Sequence, residues 1–215
     1  YKPDMLARNF RTRKSSTIVV LVPDIANPFF SRVIRGIEQT AQSLGYAVLL
    51  GDTQGLRTRE YTYANMVRTS QTDGIIQLDC HIPFEDGIDT SAPLVNACDC
   101  IRGTDIPSVE LDNVTAAQKM TEHLISLGHI NIGLITGPLS STVTKDRLKG
   151  YKNALKKNAI AINDTNITVG DYSISSGTLA ANDLFKNKTP PSAIFCMNDE
   201  MAIGAIQQAK KNGLN

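Results

Sequence analysis

The feature that most constrains this chain is a repeated switch between two hydrophobic periods. The stretch "TIVVLV" (17–22) is unbroken apolar sequence from Ile18 to Val22. A run of that length without alternation suits a strand covered on both faces, as in a helix-flanked parallel sheet. The next segment changes period. Phe30, Val33, Ile34, Ile37, Ala41 and Leu44 recur at helical spacing, and Gly45 follows as a stop. "YAVLL" (46–50) then reads as a strand, residues 57–70 as a helix, and "DG" (73–74) as a turn before the strands "IIQL" (75–78) and "PLVNA" (93–97).

The second half repeats the alternation. Asn113 is placed to cap a helix whose apolar stripe is Ala117, Met120, Leu124 and Leu127, ending at Gly128. "INIGLITG" (130–137) is a strand. Residues 144–158 form a polar helix with Leu148, Tyr151 and Leu155 inward. "ITVGDY" (167–172) is a strand, 176–187 a helix and "AIFC" (193–196) a strand. A last helix opens on Asn198 or Asp199 and stops at Gly213.

Repeated βα units predict an α/β fold made of two doubly wound parallel-sheet lobes. The expected organisation is a short segment at 1–14, an N-terminal lobe at 15–109 and a C-terminal lobe at 110–215. "RGTDIPSVELDN" (102–113) reads as the crossover between the lobes. Ligands of such sheets bind outside the carboxyl ends of the strands, which predicts a ligand cleft between the lobes.

Charge sets the opening segment apart. Residues 1–17 hold Lys2, Arg8, Arg11, Arg13 and Lys14 against Asp4, a net +4. The remainder holds 17 basic and 20 acidic groups, a net −3. A basic arm on a mildly acidic body points to a polyanion partner at the arm. No apolar run approaches membrane-spanning length, so no membrane partner is expected. No export signal opens the sequence, and the four cysteines read as free thiols, which together predict a cytoplasmic protein.

Catalytic signatures are missing from the sequence pattern. It has no glycine-rich phosphate loop after a strand, no G-x-S-x-G elbow and no paired carboxylates on one predicted face. His81, His123 and His129 lack a second His or Cys at ligand spacing, and Cys98 and Cys100 are too close for the usual zinc pair. The expectation is a binding protein, not an enzyme, with no metal and no cofactor.

Four stretches carry a resemblance: "VPDIANPFFSRVIRGIEQTAQSLGYAVLLGDTQ" (22–54), "GHINIGLITGP" (128–138), "DRLKGYKNAL" (146–155) and "PPSAIFCMNDEMAIGAIQQAKKNGL" (190–214). In order and spacing they resemble the LacI/GalR family of bacterial transcription repressors, in particular its cytidine-repressor branch. The effector-binding half of that family is similar to periplasmic pentose-binding proteins. The resemblance implies a ligand-responsive repressor that binds operator DNA and works as a homodimer. Closure of the two lobes on a small effector would control the grip on DNA.

The resemblance also accounts for the basic opening. Tyr1, Pro3, Ala7, Arg8 and Phe10 match the family's hinge pattern between DNA-binding headpiece and effector region. It implies DNA contacts from Ala7, Arg8, Phe10 and Arg11, with Phe10 as an apolar wedge in the minor groove. By the same resemblance, a helix-turn-helix headpiece ahead of residue 1 and the C-terminal elements after "KKNGL" are absent from these 215 residues.

For the effector, the family pattern implies contacts from Asn27, Phe29 and Phe30, then Arg147, Tyr172, Asn198 and Asp199. Aromatic rings stack on a sugar or base, amides bond hydroxyls, and a guanidinium fork suits vicinal hydroxyls. Asp199 reads as a helix cap ahead of a ligand contact. Ser141 and Val143 stand where purine-binding relatives carry arginine and threonine, and Cys98 stands where many relatives carry an acid. This pattern favours a nucleoside effector, cytidine first, expected to govern nucleoside uptake and catabolism genes. The rival reading is a periplasmic pentose-binding transport receptor, which would share the fold but not the basic hinge.

Overall fold

A computed structural model describes residues 14–85, 92–99 and 101–214. It divides into two compact units with the boundary between Glu110 and Leu111.

In the first unit β1 (Thr17–Val22) lies inside a five-stranded parallel sheet of order β2-β1-β3-β4-β5. The partners are β2 (Ala47–Asp52), β3 (Gly74–Gln77), β4 (Leu94–Ala97) and the short β5 (Ser108–Val109). The unbroken apolar run of β1 is used on both faces. Val19 and Leu21 pack with Ala64 and Phe84 beneath helix α2 (Arg57–Arg68). Val20 and Val22 pack with Ile34 and Phe30 of helix α1 (Pro28–Ser43) and with Leu78. Four wholly buried aliphatic side chains on one strand remove about 6–12 kcal/mol worth of apolar surface from water.

The second unit is a three-stranded parallel sheet of order β7-β6-β8, from β6 (Ile132–Thr136), β7 (Ile167–Val169) and β8 (Ala193–Cys196). Four helices cover it: α3 (Asn113–Ser126), α4 (Thr142–Lys157), α5 (Ile174–Phe185) and α6 (Asp199–Lys211). Ile132, Leu134 and Ile135 of β6 meet Tyr151, Leu155, Ala181, Leu184 and Met201 in one core. The Tyr151 hydroxyl is not stranded there, because it donates to the carbonyl of Ile132 at 2.8 Å.

Several expectations need correction. Asp112, not Asn113, caps α3; its carboxylate accepts the Thr115 amide at 2.9 Å. Asn198, not Asp199, caps α6. Met120 and Leu127 face solvent, and the inward positions of α3 are Asn113, Ala117 and Thr121. Leu44 is also exposed, since it is the residue that ends α1. The strand expected over 167–172 stops at Val169, where Gly170 turns away after donating its amide to Thr136. The stretch taken as crossover contributes β5 to the first sheet.

Helix α5 and helix α6 approach so closely that side chains cannot separate them. A Cβ placed on Gly204 would lie 2.1 Å from the carbonyl oxygen of Ile174, and one on Gly177 would lie 2.2 Å from that of Met201. Both obstacles are backbone, so neither can rotate aside. Gly204→Ala is expected to destabilise the second unit by about 1–3 kcal/mol. Urea unfolding of the variant beside the parent chain checks this, and Gly36→Ala, inside α1 with nothing within 4 Å of the added carbon, serves as the comparison that is expected to gain up to about 1 kcal/mol.

Candidate functional site

Both sheets reverse their strand order next to the first strand of the unit. In the first unit the reversal lies between β1 and β3, and in the second between β6 and β8. Loops leaving the carboxyl ends of such strand pairs diverge and leave a crevice for ligands. The residues expected to bind effector fall on these loops and on the helix starts that follow them.

In the first unit, Asn27 caps α1, with its Oδ1 accepting the Phe29 amide at 3.0 Å. The chain before it is held by Asp52 at the end of β2, whose carboxylate accepts the Ile25 amide at 3.2 Å. Pro28 fixes the first helical residue, where no amide donor is needed. The cap therefore sets where the two rings go. Phe30 turns inward onto the core beside Val20 and Val22. Phe29 stands 50% exposed, with its ring edge-on to Phe30 at 5.2 Å between centroids. Of the pair, Phe29 offers the face for stacking and Phe30 supports it.

In the second unit, Arg147, Tyr172 and Asn198 converge. Arg147, on α4, donates through Nε to Asn113 Oδ1 at 2.9 Å and through Nη1 to the carbonyl of Met197 at the end of β8. Tyr172 is the residue under most constraint. Its backbone adopts φ +72°, a left-handed conformation unusual for a bulky residue. Three contacts hold it there. Its hydroxyl bonds Thr144 Oγ1 at 2.8 Å, its carbonyl accepts Asn198 Nδ2 at 2.7 Å, and its ring covers Gly137. A Cβ on Gly137 would come within 2.1 Å of the Tyr172 ring, so glycine is required for the ring to lie there. Asn198 spends its other side-chain atom on the Met201 amide at 3.1 Å. Asp199, the first residue of α6, enters none of these contacts.

Two residues that position these side chains were not expected at the site from sequence. Asn113 anchors Arg147, and Thr144 anchors Tyr172. Both sit in first turns of helices, and the signal available was only "DN" and "STVT" ahead of apolar periods. Ser141 caps α4 by accepting the Thr144 amide at 3.3 Å, so its hydroxyl serves the helix end. The hinge positions Ala7, Arg8, Phe10 and Arg11 lie outside the described residues.

The cysteines among the described residues form no disulfide. Burial pushes the Cys98 and Cys196 thiols up to about 11. Burial and then the charges of Asp79 and Asp99 push Cys80 to about 12. At neutral pH such thiols are protonated and weakly nucleophilic. Cys80 belongs to a cluster that sequence spacing passed over. Asp79, Cys80 and His81 follow β3 in direct succession, with buried Glu60 facing His81 from α2.

Comparison with known proteins agrees with this architecture. Residues 15–215 match the family described as periplasmic binding proteins and sugar binding domain of the LacI family. The whole chain aligns at 39% identity with the HTH-type transcriptional repressor CytR of Escherichia coli, of which it covers 64%. It aligns at 32% identity with the ribose operon repressor of Haemophilus influenzae, covering 65% of that protein. A crystal structure of a protein from Actinobacillus succinogenes superposes with a TM-score of 0.87 at 31% identity, over 94% of this chain and 76% of that one. The chain thus spans a little under two thirds of the length of these curated relatives. None of its helices among the described residues is long and apolar enough to cross a membrane.

Asn198 is expected to show two separable contributions. Asn198→Asp keeps the acceptor for Met201 but loses the donor to Tyr172, whereas Asn198→Ala loses both. The alanine variant should cost about 1 kcal/mol more than the aspartate variant, the usual worth of a cap. Chemical denaturation of the two variants measures the difference.

Proposed function

Because this chain belongs to the family of periplasmic binding proteins and LacI-type sugar-binding domains, we propose that it is the effector-binding region of a transcription repressor that responds to a nucleoside, with cytidine favoured. The observation that carries the reading is the 39% identity to a transcriptional repressor along the entire chain, joined to the convergence of Arg147, Tyr172 and Asn198 at the carboxyl ends of one sheet. The repressors aligned with it favour this reading over a transport receptor.

The effector contacts are assigned to each unit in turn. Phe29 stacks on a base or sugar face, with Asn27 and Phe30 setting its position. Arg147 bonds vicinal hydroxyls of the ribose, Tyr172 adds an aromatic edge, and Asn198 and Asp199 line the helix start beside them. What makes these side chains effective is that their geometry is fixed before ligand arrives, so less rotamer freedom is lost on binding. Operator DNA is assigned to the hinge through Ala7, Arg8, Phe10 and Arg11, together with a helix-turn-helix headpiece. Assembly as a homodimer would place two hinges on one operator, as symmetric repressors require. Location in the cytoplasm follows from action on DNA. The domain limits 1–14, 15–109 and 110–215 are retained as the proposed division of labour between hinge and lobes.

The test is a calorimetric and thermal-shift panel with cytidine, uridine, adenosine, ribose and glucose. Cytidine at a hundredfold its dissociation constant is expected to add about 2.7 kcal/mol of stability. Arg147→Lys is expected to weaken cytidine binding by roughly 10-fold or more, because an ammonium cannot reproduce the guanidinium fork. The unliganded melting temperature of that variant separates lost binding from lost folding. A response to ribose alone, or to no nucleoside, would sink the effector assignment.

A second outcome concerns DNA. In the protein that carries its headpiece, Phe10→Ala is expected to weaken operator binding without altering effector affinity. Fluorescence anisotropy with operator duplex, beside calorimetry with cytidine, reads both quantities. Equal operator affinity in parent and variant would remove the wedge from the proposal.

A further inference from the structure

The loop after β3 gathers donor atoms that the effector assignment does not use. Asp79, Cys80 and His81 each offer one ligand atom, and the three atoms lie within 4.8 Å of one another. The Asp79 Oδ1 to His81 Nδ1 separation is 3.5 Å. That is long for a hydrogen bond. It matches the edge of a coordination tetrahedron, about 3.4 Å when metal–ligand bonds are about 2.0–2.1 Å.

A second, independent observation points the same way. Glu60 of α2 is 0% exposed, and neither of its carboxylate oxygens accepts a hydrogen bond from the described residues. Its Oε2 pairs with Arg57 Nη1 at 3.4 Å, and its Oε1 faces His81 Nδ1 at 3.7 Å. That imidazole nitrogen is itself buried and makes no hydrogen bond among the described residues. Buried polar atoms are normally satisfied, and an exception calls for an explanation such as an ion. Arg57 offsets only part of the charge, since its other terminal nitrogen serves Tyr61 Oη and the Ile82 carbonyl, both at 3.1 Å. Two carboxylates thus face one ring nitrogen at 3.5 and 3.7 Å, beyond hydrogen-bond length, and a bound cation would bring all three groups into contact.

The backbone of the donor loop is already pinned. Asn96 Nδ2 donates to the carbonyls of Gln77 at 3.0 Å and Asp79 at 2.8 Å. Gln77 Nε2 donates to the His81 carbonyl at 3.3 Å, and Asp79 Oδ1 accepts the Cys80 amide at 2.7 Å. Such an outer shell holds ligands in place before metal arrives. The donor types select the ion. Calcium and magnesium call for oxygen alone, whereas thiolate, imidazole and carboxylate together suit zinc.

We propose that Asp79, Cys80 and His81 bind a zinc-class divalent cation through a carboxylate oxygen, the thiolate and Nδ1. Water completes a four-coordinate set, and Glu60 supplies buried negative charge beside it. On binding, the Cys80 thiol releases its proton to solvent, as metal-bound thiolates do.

Cobalt(II) titration of the 215-residue chain tests this, because thiolate-to-cobalt charge transfer reports the sulfur ligand directly. A charge-transfer band saturating at one equivalent is expected, together with the visible bands of tetrahedral cobalt, and zinc should bleach both. Cys80→Ser should abolish the charge-transfer band, and His81→Gln should weaken binding by at least about 10- to 100-fold, the range that loss of an outer-shell partner alone produces. Cys98→Ser should leave the titration unchanged. Cys80 and His81 are only partly buried, so both variants are expected to fold, and their far-ultraviolet circular dichroism verifies it. No charge-transfer band in excess cobalt, or an undiminished band in Cys80→Ser, overturns the proposal.

Discussion

Everything else in this structure depends on burying a parallel strand on both faces. β1 and β6 can do so only because helices lie on either side of each sheet. A parallel neighbour must be reached by a crossover, and here the crossovers are helices that begin where strands end. The first turns of α1, α4, α5 and α6 therefore follow the carboxyl ends of β1, β6, β7 and β8. Each such turn has unpaired backbone amides, and Asn27, Ser141, Ser173 and Asn198 supply the acceptors. The demand for caps and the opportunity for ligand binding thus fall on the same few residues.

That coincidence explains the character of the site. Asn198 caps a helix and also holds the left-handed backbone of Tyr172. Arg147 bridges the start of α3 and the end of β8. None of these side chains hangs freely. The local strain at Tyr172 is sustained by contacts to three different elements, which is how an unfavourable conformation persists in a stable unit. The first unit uses simpler means. One cap and one proline aim two rings, of which one is spent on the core and the other left at the surface.

The cluster after β3 follows a different logic. Cap residues satisfy the backbone, whereas the Glu60 oxygens and His81 Nδ1 have no hydrogen-bond partner among the described residues of the first unit. Burial and the nearby Asp79 charge hold the Glu60 carboxyl above the ordinary carboxylate range, while Arg57 and His81 pull the other way. Such a group lowers stability as pH rises through the window between its unfolded and folded values, unless positive charge is brought in.

The sequence by itself determined the elements and their class. Unbroken runs such as 17–22 and helical stripes such as Phe30 to Ala41 are local patterns, and burial demands them wherever they occur. They fixed the α/β alternation and parallel sheets, and the hinge and "NDEMA" motifs pointed to the family. Ends of elements were less legible, because Asp112 and Asn113 cap equally well on composition and only the backbone path chose Asp112. The same holds for Asn198 over Asp199. Tertiary structure alone decided which distant residues meet. Nothing in the local spacing pairs Arg147 with Asn113, Thr144 with Tyr172, or Glu60 with His81. These contacts join residues whose separations, from 21 to 34 positions, are set by strand order and helix crossing. Periodicity records which face of an element is buried; it does not record what lies opposite.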